Sequence, residues 1–153
     1  MIDPKLDLVL DMQVDLTPEQ MFRAWTDPEL LPKWFCPKPW NVTKCTIELK
    51  PGGLFYSRME GPDGQAMDNY GTYLEVVPNQ KITWTDALTK DFRPTETSFI
   101  TATLTLTKQD KATHYVVVVR HKSEADRIQH EQMGFKTGWA TATEQMVTLM
   151  KSL

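Results

Sequence analysis

Leu6, Leu8, Leu10, Met12, Val14 and Leu16 occupy every second position near the start of the chain, with Asp7, Asp11, Gln13 and Asp15 between them. A side-chain period of two belongs to a strand with one buried face, so this segment predicts a first strand. Thr17-Pro18-Glu19-Gln20 follows with the signature of a capped helix start: a hydroxyl at the N-cap, proline at the first helical position and Gln at the third. A short helix carrying Met21, Phe22 and Trp25 is expected there. Asp27-Pro28-Glu29 repeats the device, so a second short helix is expected before the proline-spaced stretch Trp34 to Trp40.

From Val42 to His121 the pattern is strand after strand, divided by turn signals at Pro51-Gly52-Gly53, Gly61-Pro62-Asp63-Gly64, Pro78-Asn79 and Lys108 to Lys111. These signals predict about six further strands. Cys45, Ile47 and Leu49 alternate with polar neighbours, as do Ile100, Ala102, Leu104 and Leu106, which fits an antiparallel sheet covered on one side. Tyr115 to Val119 breaks the alternation and reads as a central strand touching protein on both faces. Thr89 to Thr97 is poor in apolar residues and reads as a loop. After Ser123-Glu124 the period changes: Phe135, Trp139, Ala142, Met146, Leu149 and Leu153 recur at spacings of 4, 3, 4, 3 and 4, one stripe of a long C-terminal helix. Gly134 and Gly138 interrupt it, so the helix starts late or bends there.

Strand, two short helices, about six strands and a lone amphipathic helix are most simply satisfied by an α+β domain in which a curved antiparallel sheet wraps the terminal helix. At 153 residues one domain, spanning 1–153, is expected, with enough chain to bury a core unaided by disulfides or metal. Charge narrows the partners. The net charge of −3, with no run of like charges, argues against an electrostatic nucleic-acid binder. The longest apolar run, Tyr115 to Val119, is far short of the ~20 residues of a membrane helix, so no membrane association is expected. The N-terminus has neither a basic nor an apolar signal region, which points to the cytoplasm and to free thiols at Cys36 and Cys45.

Trp25, Asp27-Pro28, Leu30, Trp34-Phe35, Pro51-Gly52-Gly53-Leu54-Phe55, Tyr70-Gly71-Thr72-Tyr73-Leu74-Glu75-Val76-Val77-Pro78 and Gly138-Trp139 together resemble the family of the activator of the heat-shock-protein-90 ATPase, C-terminal-domain type. That family belongs to the START-like (SRPBCC) helix-grip superfamily, and the resemblance spans roughly residues 10 to 152. It implies a helix-grip fold of about seven strands with a space between sheet and terminal helix, as well as a possible relation to a chaperone.

Candidate chemistry is sparse. His114 and His121 lie an odd number of positions apart in one strand and point to opposite faces. His130 and Asp126, four apart on a helix, read as part of a solvated face. No metal-ligand spacing, phosphate-binding loop or nucleophile elbow is present, and no cofactor or metal is expected. Cys36 lacks a histidine nearby in sequence.

Eight Met and five Trp are the compositional anomaly. Met21, Phe22, Trp25, Trp34, Phe55, Met59, Trp84, Phe99, Met133, Phe135, Trp139 and Met146 are candidates to line an adaptable apolar cavity, or else to fill the core. Arg58, Arg120 and His121 are polar cavity candidates, against a competing reading of cross-strand ion pairs on the outer face. The function expected is the binding of a hydrophobic or aromatic small molecule. The alternatives are a chaperone-cofactor module, and an enzyme of the cyclase or dehydratase type that occurs elsewhere in the superfamily. Both a monomer and a homodimer are compatible with the pattern.

Overall fold

The computed structural model describes residues 1–153. The first strand, β1 (Asp7–Val14), places Leu8, Leu10 and Val14 in the core. The expected capping box opens α1 (Pro18–Thr26): Gln20 N donates to Thr17 Oγ1 at 3.1 Å and Thr17 N donates to Gln20 Oε1 at 2.8 Å. Asp27 does not open a second α-helix. It caps the end of α1 and turns the chain through Asp27 Oδ1, which accepts from Glu29 N, into a single 3-10 turn at Leu31–Lys33.

The strands β2 (Asn41–Ile47), β3 (Leu54–Glu60), β4 (Ala66–Val77) and β5 (Lys81–Thr85) form a meander. The segment expected to be a loop instead closes a small hairpin, β6 (Leu88–Thr89) with β7 (Arg93–Pro94), around a turn at Lys90–Phe92. Two-residue strands carry no periodicity, which is why the pattern concealed them. β8 (Thr101–Gln109) and β9 (Ala112–Arg120) complete a seven-stranded antiparallel sheet in the order β1-β9-β8-β5-β4-β3-β2. β9 does lie inside the sheet, between β1 and β8, but only one of its faces is covered: Tyr115, Val117 and Val119 are buried, whereas Val116 and Val118 are half-buried on an outer face that no second layer covers.

The C-terminal helical region is two helices. α2 (Glu124–Gln132) starts on the Ser123 hydroxyl, which accepts from Asp126 N at 3.1 Å, and α3 (Phe135–Lys151) carries the long apolar stripe. The break falls at Gly134, whose φ of +89° is a left-handed conformation that a side chain resists. The curved sheet wraps α3 in a helix-grip arrangement, and 24 buried residues from the sheet interior, α1, the 3-10 turn and its flanks, Leu16 and α3 make one continuous core.

Candidate functional site

Trp25 from α1, Trp34 behind the 3-10 turn, Trp84 from β5 and Trp139 from α3 meet where the sheet, the short helices and α3 converge. Trp139 stacks near Trp25 at 5.9 Å and near Trp84 at 6.4 Å between ring centroids, and Trp34 meets Trp25 edge-on at 4.9 Å. Trp34 is fixed by its indole N–H, which donates to Ala24 O at 3.0 Å. Each such aromatic pair contributes about 0.5–1.5 kcal/mol beyond its area burial.

Beside the wall is a cavity of about 430 Å³. One face of α3 borders it: Phe135, Gly138, Trp139, Ala142 and Thr143, at the three- and four-residue spacing that puts side chains on one side of a helix. The inner positions of β3 and β4 face it across the gap with Phe55, Ser57, Met59, Met67, Asn69 and Gly71. Gly71 is required there, because a Cβ on it would lie 2.7 Å from Thr85 O of the neighbouring strand. Met67 and Met133 are exposed apolar residues of the lining, at 50% and 66% exposure, and mark its mouth.

Of the apolar residues expected at the cavity, Trp25, Trp34, Phe55, Met59, Trp84, Phe99, Met133, Phe135 and Trp139 line it. Met21 and Met146 do not. Both are fully buried in the solid core, Met21 one turn before Trp25 on α1 and Met146 one turn beyond the last lining residue of α3. Phe22 packs half-buried against that core and is likewise not part of the lining.

The polar candidates divide in the same way. Arg58 alternates with Phe55, Ser57 and Met59 and therefore faces outward, where its guanidinium binds the Asp68 carboxylate at 3.0 Å and lies 3.7 Å from Glu60. Tyr56 donates to the same carboxylate at 2.6 Å, and these contacts hold Asp68 below the usual carboxylate range. Arg120 is exposed at the end of β9. His114 points outward to Asp11 at 2.7 Å, as the odd spacing required. His121 is buried just after β9, with Nδ1 2.8 Å from Leu6 O.

The residue the pattern missed is His130. It is not on a solvated face: its Nδ1 lies 2.8 Å from His121 Nε2, its ring packs between Phe99 and Phe135 at 5.2 Å from each, and it borders the cavity. Burial, reinforced by the charge of a protonated His121, lowers its pKa from 6.5 to about 4. Asp126, one turn earlier on α2, pairs with Lys122. Asp86 also borders the cavity, anchored through Oδ1 by the backbone N–H groups of Phe99 at 2.7 Å and Ile100 at 3.0 Å. Asp86 and His130, both in contact with Phe99, thus make a polar corner in a mostly apolar space that Ser57, Asn69 and Thr143 also border.

Cys36 and Cys45 are both free thiols. Burial raises both thiols, Cys45 to about 11, so neither is poised as a thiolate nucleophile although Cys36 borders the cavity. No group of three or more His, Cys, Asp or Glu side chains is arranged to hold a metal ion. No helix is long and apolar enough to cross a membrane.

A seven-stranded antiparallel sheet gripping a terminal helix, with two short helical pieces after the first strand, places the molecule in the helix-grip class. Residues 15–151 match the model of the activator of Hsp90 ATPase homolog 1-like protein family, and the chain belongs to that family. A solved protein from Nitrosomonas europaea is similar over 99% of this chain and 97% of its own, at 39% identity and a TM-score of 0.96. A Rhodobacter sphaeroides protein (22% identity, 100% and 97% coverage, TM-score 0.85) and the AHSA1-like protein from Aeromonas hydrophila (17%, 93% and 94%, TM-score 0.71) share the fold. No curated protein matches the chain.

Proposed function

We propose that this protein binds a hydrophobic or aromatic small molecule in the cavity between the sheet and α3. The observation that carries the reading is the cavity itself: about 430 Å³, bordered by 24 residues of which 15 are hydrophobic, with exposed apolar side chains at its mouth. This lies within the ~300–1,000 Å³ of small-molecule sites, and a few convergent polar groups in an apolar wall is their usual construction. The enzyme alternative loses its three named residues, because Arg58 and Arg120 face outward and His121, although buried, does not border the cavity.

The test is titration with a neutral fluorescent apolar probe such as N-phenyl-1-naphthylamine, read by probe emission and by quenching of the Trp cluster. Ala142 borders the cavity and is 6% exposed, so Ala142→Phe fills space that the ligand needs. Saturable binding by the native protein, weakened at least about tenfold in the folded Ala142→Phe variant, supports the reading; that factor corresponds to a loss of about 1.4 kcal/mol. Binding unaffected by the substitution puts the probe elsewhere and contradicts it.

A further inference from the structure

Buried His121 and half-buried His130 together determine which kind of ligand the polar corner accepts. His121 Nδ1 faces the carbonyl oxygen of Leu6 at 2.8 Å, and a carbonyl only accepts, so Nδ1 carries the hydrogen. In the neutral ring Nε2 is then an acceptor. It lies 2.8 Å from His130 Nδ1, which must therefore be the N–H that donates to it. The second ring nitrogen of His130, Nε2, is left as a bare lone pair with no partner in the protein, on a residue that borders the cavity and is clamped between Phe99 and Phe135. The backbone carbonyl of Leu6, just before β1, thus fixes through two rings which nitrogen of His130 is left as an acceptor.

Among the charged groups of the lining the balance is one-sided. Asp86 brings a carboxylate to this corner, and no Lys or Arg borders the cavity. An anionic head group would meet a carboxylate and a lone pair without any compensating cation, which is costly in an apolar enclosure. We propose that the cavity selects a neutral aromatic ligand bearing a hydrogen-bond donor, a hydroxyl or N–H group that donates to His130 Nε2, and excludes carboxylates such as fatty acids. This rests on the reading that the cavity binds a small molecule. His121 is the positioning residue: it touches no ligand and sets the tautomer of His130.

The experiment uses three probes of similar aromatic body, titrated into the native protein at about pH 8, above the ordinary imidazole range. They are 2-naphthol, which has an O–H donor; 2-methoxynaphthalene, which has none; and 2-naphthoate, which is anionic. The expected result is that 2-naphthol binds about 3- to 10-fold more tightly than 2-methoxynaphthalene, the range one buried neutral hydrogen bond confers, and that 2-naphthoate binds more weakly than either. His130→Phe keeps an aromatic ring between Phe99 and Phe135 and abolishes the preference for 2-naphthol without abolishing binding of the ether. Nitrogen-15 NMR of the native protein provides a readout that does not depend on a folded variant: His130 Nε2 resonates as an unprotonated acceptor and moves upfield when 2-naphthol is added. Equal affinity for 2-naphthol and its ether, preference for 2-naphthoate, or a protonated Nε2 at that pH overturns this inference and leaves the cavity reading standing. Failure of all three probes to bind overturns both.

Discussion

At the scale of single residues, His130 is the most informative side chain in the molecule and the one least visible in the sequence. Arg127, Gln129 and Gln132 surround it, and α2 buries no residue completely, so every local cue describes a solvated helix. Its surroundings come from outside α2: His121 before the Ser123 reversal, Phe99 ahead of β8 and Phe135 past the Gly134 break. Its depressed pKa makes a directional prediction. Above about pH 6.5 the ring is neutral in both the folded and unfolded chain; between 6.5 and about 4 the unfolded chain takes up the proton and the folded one does not. Stability from this site is therefore intact above pH 6.5 and falls as pH drops toward 4. Urea midpoints at about pH 7 and pH 5 should show a loss on the order of 1–2 kcal/mol in the native protein that His130→Phe removes. An identical pH response in the variant would place the loss in other groups.

At the scale of elements, period and capping chemistry carried the prediction wherever a segment was long. β1 alternates through three buried core positions, and the Thr17–Gln20 capping box forms as its residue types require. Those features are local, so the sequence near them suffices. The failures are short or set by neighbours: Asp27 becomes a C-cap rather than an N-cap, β6 and β7 have two residues each, and Val116 and Val118 are apolar on a face that nothing covers. A long-range clamp was equally invisible. Gln145 on α3 donates through Nε2 to Trp34 O at 3.1 Å and Cys36 O at 2.9 Å, while its Oε1 accepts from Lys38 N at 3.1 Å. One side chain therefore ties the 34–38 segment, which brings Phe35, Cys36 and Pro37 to the cavity, onto the helix. Gln145→Ala strands those backbone groups, and a destabilisation of about 1–3 kcal/mol is expected, with faster amide exchange at Lys38. Unchanged exchange at Lys38 would mean that the clamp does not hold the segment.

At the scale of the whole molecule, the curved sheet around a terminal helix was legible because element order leaves few alternatives for a lone amphipathic helix after a meander. The division between core and cavity was not. Met21 and Met146 have the same chemistry and spacing as the residues that line the space, yet they lie in solid protein, because the gap opens only along the Phe135 to Thr143 stretch of α3. Composition signals that large adaptable side chains are present; only the packing of sheet against helix decides where a void remains.

The account's central claim is that this void is a binding site, and native mass spectrometry of the purified protein, followed by denaturing extraction and add-back, tests it most directly. The predicted result is a copurifying neutral aromatic molecule that is released on denaturation and raises the melting temperature when returned to the emptied protein, as a ligand of the folded state must. A protein of bare chain mass, with a melting temperature unmoved by a panel of neutral aromatic and apolar molecules, would contradict it.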